Sequence, residues 1–248
     1  GKVLQVGTIH NYRDNFSKAY GVIYKDEAGE DHFVHQTTYG MSERLLGAIL
    51  LLHSDEIGPI LPPAIAPIKA AIIPILFKGR EKGVVEYAEL VYESVKDIGV
   101  EIDRREMTPG NKYYEWERMG VPLRIEVGPK DVEKNSVVLV RRDNREKIFV
   151  SFDNIREEME KALKNIESSL YNRANKLLKG NIVNIDDVNK KTSKKILRFS
   201  WCGSDDCGHI IEEKLDRPIL GTSSEREMST CVVCKKECDT VAYAAKTY

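Results

Sequence analysis

The sequence predicts a multidomain chain of mixed α/β and α+β architecture. Three observations predict it: strand-like segments near the start, alternating strand and helix patterns in the middle, and five cysteines that all follow residue 201. The chain has 248 residues, of which 42% are hydrophobic and 31% are charged. This balance excludes a disordered or low-complexity chain and allows roughly one or two domains.

The first part is predicted to be an antiparallel sheet followed by a helix. Two segments rich in aromatic and β-branched side chains flank a polar turn, at residues 16–24 and 32–39. A helix is predicted from about Ser42. Because residues 45–52 carry no charge, we expect this helix to be buried nearly all round. The proline-rich stretch 59–63 is a stiff connector, so we place the first domain boundary after residue 63.

The middle part alternates strand and helix patterns. The largely apolar segment 68–77, in which Lys69 is the one charged residue, is typical of a strand covered on both faces. The apolar spacing within 84–98 is that of an amphipathic helix. The remaining predicted strands are 100–103, 123–127, 137–140 and 147–152, and the remaining helices are 111–119 and 155–178. This alternation predicts an α/β domain with a mixed sheet of about five strands. We assign it to residues 64–160, which leaves 161–248 as a third domain.

The net charge of −1 conceals an uneven distribution. Residues 104–147 and 156–200 carry net charges of +3 and +5, whereas residues 1–103 carry −5 and 201–248 carry −3. The basic middle is compatible with a polyanionic partner. The longest apolar run has eight residues, well short of the roughly 20 that a membrane-spanning helix needs. We therefore expect a soluble, cytoplasmic protein with no membrane partner.

Two close cysteine pairs predict a metal site. Cys202 and Cys207 form a C-x4-C pair, and Cys231 and Cys234 form a C-x2-C pair. Tetrahedral zinc takes four such thiolates, and a set without an open position indicates a structural ion. Cys238 is an alternative to Cys234 as the fourth ligand. The other interpretations are buried free thiols and a redox Cys-Val-Val-Cys, but the latter lacks its usual βαβ setting.

A second candidate site lies around Gly40 and Arg44. The segment 36–47 predicts a strand that runs into Gly40 and a helix that presents Arg44 near its start. A guanidinium there can bind a phosphate bidentately, aided by the partial positive charge of the helix N-terminus. The alternative is an ordinary surface or capping arginine.

This Gly-x-x-x-Arg segment resembles the third signature motif of class II aminoacyl-tRNA synthetases. Further segments resemble prolyl-tRNA synthetases of the archaeal and eukaryotic type, namely residues 4–10, 15–18, 61–67, 109–112, 116–122 and 124–131. The resemblance continues in order through the cysteines to Tyr248. It implies that residues 1–63 are the end of the antiparallel-sheet catalytic domain, that 64–160 bind the anticodon, and that 161–248 are a small α+β zinc-binding domain.

The resemblance also implies roles for matched residues. The implied ATP-binding residues are Gln5, Thr8 and Arg44, the implied proline-pocket residues are His10, Tyr39 and Ser42, and the implied catalytic residues are Arg44 and His10. Tyr39 occupies a position at which the family usually has tryptophan, and the tyrosine ring would retain an aromatic wall of the pocket. On residue type alone, His10 is more often a structural histidine and Tyr39 a core aromatic. Magnesium would accompany ATP as its counterion.

In the middle domain the resemblance implies recognition of the anticodon. The implied residues are Glu117, Arg124, Lys130, Asp131 and Lys147. Such a mixed set can contact both the acceptors and the donors of a guanine, but only on an unstacked base. We expect Glu117 and Arg124 to share one surface. The neighbouring Arg141, Arg142 and Arg145 belong either to that basic surface or to a solvated hairpin tip.

The function implied is that of a proline–tRNA ligase, with ATP, L-proline and tRNA(Pro) as substrates and a homodimer as the assembly. The two earlier class II motifs would precede Gly1. We therefore expect this chain to be part of a longer polypeptide and to be unable to activate proline alone. The alternatives are a non-catalytic tRNA-binding accessory protein and a threonyl- or glycyl-type synthetase. The Leu-Pro-Pro connector, the zinc tail and the terminal tyrosine disfavour the second of these.

Overall fold

The computed structural model describes residues 1–189 and 194–248. The chain divides into two compact units, one formed by Gly1–Ala48 together with Leu178–Tyr248 and the other by Ile49–Leu177. The boundaries at residues 63 and 160 stay predictions. No helix among the described residues combines the length and the apolar character needed to cross a membrane.

The N-terminal segment contains short strands and two helices. Its elements are β1 (Lys2–Val3), β2 (Gly7–Arg13), α1 (Asn15–Tyr20), β3 (Ile23–Lys25), β4 (Asp31–Phe33), β5 (Gln36–Met41) and α2 (Arg44–Leu52). Strand β2 pairs antiparallel with β5, and β3 pairs antiparallel with β4. The antiparallel pairing agrees with the pattern in the sequence.

Two expectations for this segment are wrong. The strand predicted at 16–24 begins as helix α1, because Asp14 forms an ion pair with Lys18 one turn later, at 2.9 Å, and Gly21 ends the helix with φ of 67°. Helix α2 is not buried nearly all round, since none of its residues is buried and Leu46 and Leu51 are exposed. Its apolar run therefore forms an exposed surface within this chain.

The second unit is built on a mixed five-stranded sheet. Its elements are β6 (Ala70–Pro74), α3 (Glu81–Val95), β7 (Val100–Ile102), α4 (Pro109–Arg118), β8 (Leu123–Val127), α5 (Pro129–Glu133), β9 (Ser136–Arg141), β10 (Lys147–Ser151) and α6 (Ile155–Gly180). The strand order is β10-β9-β8-β6-β7. Strand β6 is parallel to β7 and β8, whereas β9 is antiparallel to β8 and β10. The predicted α/β domain with a mixed sheet is confirmed.

The two faces of this sheet have different roles. One face forms the main apolar core with α3 and α6, to which β8 contributes Leu123, Ile125 and Val127. The opposite face packs against α4, where Trp116 forms a smaller cluster with residues of β6. Because side chains alternate along a strand, Arg124 of β8 faces the α4 side. This alternation positions the polar site described below.

The described residues after α6 contribute a four-stranded sheet to the first unit. Its elements are β11 (Ile182–Asn184), β12 (Ile196–Trp201), α7 (Asp205–Leu215), β13 (Ile219–Thr230), β14 (Glu237–Ala244) and β15 (Lys246–Thr247). The strand order is β11-β12-β14-β13, with a core that includes Leu197, Phe199 and Ile211. The last strand, β15, pairs parallel with β1, and the Tyr248 N–H donates to the Val3 carbonyl at 3.3 Å.

Candidate anticodon-binding surface and cysteine cluster

The α4 side of the sheet carries a polar network centred on Arg124. Its Nη1 donates to Glu117 Oε1 at 2.5 Å, and its Nε donates to Glu126 Oε1 at 3.1 Å. The guanidinium also lies over the ring of Tyr113, 4.0 Å from its centroid. Helix α4 supplies Glu117 and Tyr113 from adjacent turns, and β8 supplies the other two residues. Strand and helix thus hold the guanidinium in one orientation.

Lys147 joins the same network from strand β10. Its Nζ donates to Glu126 Oε2 at 3.2 Å, so the buried Glu126 carboxylate bridges two cations. Burial and the negative charge of Glu126 raise the pKa of Tyr113 to about 12. The network therefore presents ionised donors and acceptors together with one neutral phenol. These are the groups needed to contact both kinds of polar atom on a nucleobase edge.

The structure brings three predicted anticodon residues together, namely Glu117, Arg124 and Lys147. The sequence analysis missed Glu126 and Tyr113. Both were detectable by periodicity, since Glu126 lies two residues after Arg124 on a strand and Tyr113 lies four residues before Glu117 on a helix. The contribution of each residue to recognition stays a prediction.

Lys130 and Asp131 occupy a different position, on α5 after the carboxyl end of β8. Lys130 is exposed and lines an open groove with Phe77 and Lys78. Asp131 Oδ2 accepts a hydrogen bond from the Gly128 N–H at 2.8 Å, which caps this short helix. Asp131 therefore has a structural role whatever it contributes to binding.

The basic hairpin between β9 and β10 is not a solvated tip at Arg141 and Arg142, because both side chains are buried. Arg141 forms ion pairs with Asp143 at 2.8 Å and Glu146 at 3.1 Å. Arg142 forms an ion pair with Asp55 at 2.5 Å. Only Arg145, of the three arginines, is exposed. Two of these cations therefore have internal partners.

The paired strands β2 and β5 carry three of the predicted nucleotide and proline residues, Thr8, His10 and Tyr39, and Gln5 lies just before β2. Gln5 Nε2 donates to Thr8 Oγ1 at 2.8 Å. Thr8 pairs with Gly40 and His10 pairs with Thr38, so the side chains of Thr8 and His10 share one face. Tyr39 pairs with Ile9 and therefore projects from the other face. His10 stacks on Tyr12, with ring centroids 5.1 Å apart.

Arg44 and Ser42 lie where the second strand meets helix α2. The Ser42 N–H donates to the Val6 carbonyl at 3.4 Å, which ties the end of β5 to the residue before β2. Arg44 is the first residue of α2, so the helix begins two residues after the predicted start at Ser42, and Arg44 is exposed. A guanidinium in that position is accessible to an anionic ligand. The assigned roles of both residues stay predictions.

The cysteines form a compact cluster in the C-terminal sheet. Cys202 follows β12, Cys207 lies in the first turn of α7, and Cys231 and Cys234 occupy the turn between β13 and β14. Their four Sγ atoms lie within 4.8 Å of one another. Cys238, on β14, does not belong to this group among the described residues.

The geometry of the cluster suits a tetrahedral ion. Zinc with Zn–S bonds near 2.3 Å separates its sulfur ligands by about 3.8 Å. The Sγ atoms of Cys234 and Cys202 are 3.8 Å apart. Burial raises the pKa of the Cys207 thiol to about 12, whereas the pKa of Cys231 falls to about 7, because backbone N–H groups of Cys234 and Val233 outweigh its burial. Four thiolates this close need a cation to offset their repulsion.

Comparison with known protein families agrees with this organisation. The anticodon binding domain family matches residues 69–162, the region of the five-stranded sheet and its polar network. The family described as prolyl-tRNA synthetase, C-terminal, matches residues 185–248, which include the cysteine cluster. The fold and the two matches define a C-terminal region of an aminoacyl-tRNA synthetase.

Similar curated proteins narrow this class. The chain is 45% identical over 261 residues to a proline–tRNA ligase of Thermococcus kodakarensis, and 42% identical over 261 residues to one of Pyrococcus horikoshii. It is 39% identical over 256 residues to a proline–tRNA ligase of Methanosarcina mazei. These alignments cover 100% of this chain but only 53–54% of each relative, so the chain spans about half their length. The family matches and these similarities fit the C-terminal portion of a prolyl-tRNA synthetase.

Proposed function

We propose that this chain is the C-terminal part of a proline–tRNA ligase. Such an enzyme activates proline with ATP to prolyl-adenylate and transfers the prolyl group to the 3′ end of tRNA(Pro). The observation that carries the proposal is the similarity of the whole chain to proteins named proline–tRNA ligase, at 39–45% identity. The match of residues 185–248 to a family specific to prolyl-tRNA synthetases disfavours a threonyl- or glycyl-type enzyme.

Within this function, residues 1–63 would contribute the end of the catalytic domain. Gln5 and Thr8 would contact the nucleotide, and Arg44 would bind an ATP phosphate opposite a magnesium ion. His10 and Ser42 would contact proline. Tyr39 projects from the other face of β5, so its contact with proline rests on the family resemblance alone. The exposed position of Arg44 at the start of α2 supports its role, because a guanidinium binds oxyanions through two parallel N–H groups. Catalysis would then depend on the positioning of ATP and on neutralisation of its charge.

Residues 64–160 would recognise the anticodon. In the Arg124 network, the carboxylates of Glu117 and Glu126 fix the guanidinium, which leaves less conformational entropy to be lost when a base binds. Lys147 is half exposed and retains N–H groups for an RNA oxygen or nitrogen. Lys130 would extend the contact along the groove beside α5. The Arg124 network would offer donors and acceptors at one surface, and Lys130 would add a donor at the groove beside α5.

The four clustered cysteines would hold one structural zinc ion in the C-terminal domain, residues 161–248. Bound zinc would fix β12, α7 and the β13–β14 turn to one another and supply folding free energy. With four protein ligands the ion has no open position and takes no part in catalysis. A homodimeric assembly and a cytoplasmic location complete the proposal, and both rest on the family resemblance.

The proposal is tested with the complete polypeptide that contains this chain. Proline-dependent ATP–pyrophosphate exchange and aminoacylation of tRNA(Pro) are measured for the wild type, Arg44→Ala and Arg124→Ala. We expect Arg44→Ala to lose both activities, and Arg124→Ala to lose aminoacylation by about 10-fold or more while it retains exchange. Arg104→Ala is the matched control, because Arg104 is an ion-paired surface arginine that belongs to no site described above.

Two results would contradict the proposal. The absence of proline-dependent exchange in the wild-type polypeptide would remove the ligase function and favour a tRNA-binding accessory protein. An equal loss of exchange and aminoacylation in Arg124→Ala would show that this residue does not act through the anticodon.

A further inference from the structure

Strand β10, at one edge of the five-stranded sheet, carries an aromatic side chain that the polar network does not use. Phe149 is 78% exposed, whereas its neighbours Ile148 and Val150 pack against the main core. Single exposed apolar residues are common on protein surfaces. The position of Phe149 on the sheet, rather than its exposure alone, indicates a role in binding.

The strand register places Phe149 on the face that carries the Arg124 network. Phe149 pairs with Val138, and Val138 pairs with Glu126. In the same way, Lys147 pairs with Val140, which pairs with Arg124. Residues paired across neighbouring strands project from the same face of a sheet. The Phe149 backbone therefore lies about 10 Å from the Glu126 backbone, across one intervening strand.

We propose that Phe149 is a stacking platform for one unstacked nucleobase of the RNA that binds this surface. The inference rests on the proposed tRNA-binding function and adds a residue and a mode of contact to it. Lys147 lies two residues earlier on the same face, about 7 Å along the strand. A base stacked on the phenyl ring thus brings its polar edge or its phosphate within reach of the Lys147 ammonium.

The chemistry of the surrounding surface favours an unstacked nucleobase as the ligand of Phe149. Arg124 and Lys147 are balanced by Glu117 and Glu126, so the network offers no excess charge to hold RNA by electrostatics alone. Polar contacts to base edges also require bases removed from their stack, which costs stacking energy. An aromatic ring beside the network restores part of that energy, since stacking of a base on an aromatic side chain is worth about 1–3 kcal/mol.

The test measures the affinity of the complete polypeptide that contains this chain for an unmodified tRNA(Pro) transcript. The variants are Phe149→Ala, Phe149→Leu and Phe149→Trp. Tyr171→Ala is the matched control, because this aromatic residue is 68% exposed and lies on α6, which packs on the other face of the sheet. Urea unfolding of each variant confirms that the fold is retained.

We expect Phe149→Ala to weaken binding by about 5- to 150-fold. Phe149→Leu should weaken it nearly as much, because leucine retains apolar surface but lacks a ring face. Phe149→Trp should bind at least as tightly as the wild type, with the fluorescence of the introduced indole quenched on RNA binding. Tyr171→Ala should bind as the wild type does.

Wild-type affinity in Phe149→Ala or Phe149→Leu would overturn the inference. So would a change in oligomeric state of Phe149→Ala with unchanged RNA affinity, because the ring would then contact protein. If Arg124→Ala loses tRNA binding while Phe149→Ala retains it, only the stacking inference fails. If the wild-type polypeptide does not bind tRNA(Pro), the proposed function fails as well.

Discussion

Replacement of Arg142 by alanine should destabilise the Ile49–Leu177 unit substantially. The Arg142 side chain is 2% exposed, and its Nη1 and Nη2 donate to the two Asp55 carboxylate oxygens at 2.5 and 2.6 Å. The same guanidinium donates to the carbonyls of Gly58 at 3.3 Å and Glu117 at 3.1 Å. It thereby joins the loop after α2 to the end of the helix that carries Glu117.

The size of the expected loss of stability follows from the unequal burial of Arg142 and Asp55. Removal of one member of a buried ion pair costs about 3–5 kcal/mol, because the remaining charge is left unpaired. Asp55 is 31% exposed, so Arg142→Ala leaves a partly hydrated carboxylate and should cost about 2–4 kcal/mol. Asp55→Ala leaves a buried guanidinium and should cost more. Because the two residues contact each other, the double variant should lose less stability than the sum of the single variants.

The assay is urea unfolding followed by Trp116 fluorescence in a Trp201→Phe background, which restricts the signal to this unit. Arg145→Ala is the control, since this exposed neighbour should change the free energy of unfolding by less than about 0.5 kcal/mol. A loss below about 1 kcal/mol in Arg142→Ala, or additive single variants, would refute the reasoning.

Three further predictions concern the stability of the fold and its zinc content. Gly120→Ala should lower the free energy of unfolding by about 1–3 kcal/mol, because Gly120 has φ of 81° and a Cβ there would meet Leu61 at 3.0 Å. The control is Gly110→Ala, which places its methyl group in open space on α4 and should be neutral or stabilising in the same urea titration. Burial would raise the pKa of Asp103, but hydrogen bonds from Arg105 and the Trp116 indole lower it to about 2. Ionised Asp103 should therefore contribute about 2 kcal/mol to the free energy of unfolding above pH 4, and this contribution should be lost as the pH falls from about 4 to 2. Asp103→Asn should abolish that loss when unfolding is measured as a function of pH. The purified chain should contain about one zinc ion per polypeptide by atomic emission. Cys231→Ser should lose this zinc. Less than about half an equivalent of zinc in the wild-type chain would contradict the tetrathiolate site.

The sequence predicted those parts of the molecule that depend on local pattern. The alternation of apolar runs predicted the five-stranded sheet, because each strand and helix has a characteristic period. The cysteine spacings predicted a cluster, because the C-x2-C pair is held by a single turn. Glu117 and Arg124 were expected on one surface because only a short turn separates their helix from their strand.

Other features depend on contacts that no local pattern encodes. The Asp55 partner of Arg142 is 87 residues away in sequence, so the burial of that arginine could not be inferred from its basic neighbours. The apolar run of α2 predicted burial, but burial depends on which elements pack against a helix. Helix α1 was mistaken for a strand because its aromatic residues outweighed the end signals at Asp14 and Gly21, which were present in the sequence.

The middle domain is proposed to recognise the anticodon of tRNA(Pro), and one affinity comparison tests this recognition most directly. The complete polypeptide that contains this chain is titrated with a tRNA(Pro) transcript and with a transcript that differs only in its anticodon bases. Each lost base contact is worth about 1–3 kcal/mol, so we predict that the altered transcript binds at least about 10-fold more weakly. Equal affinities for the two transcripts would contradict the account.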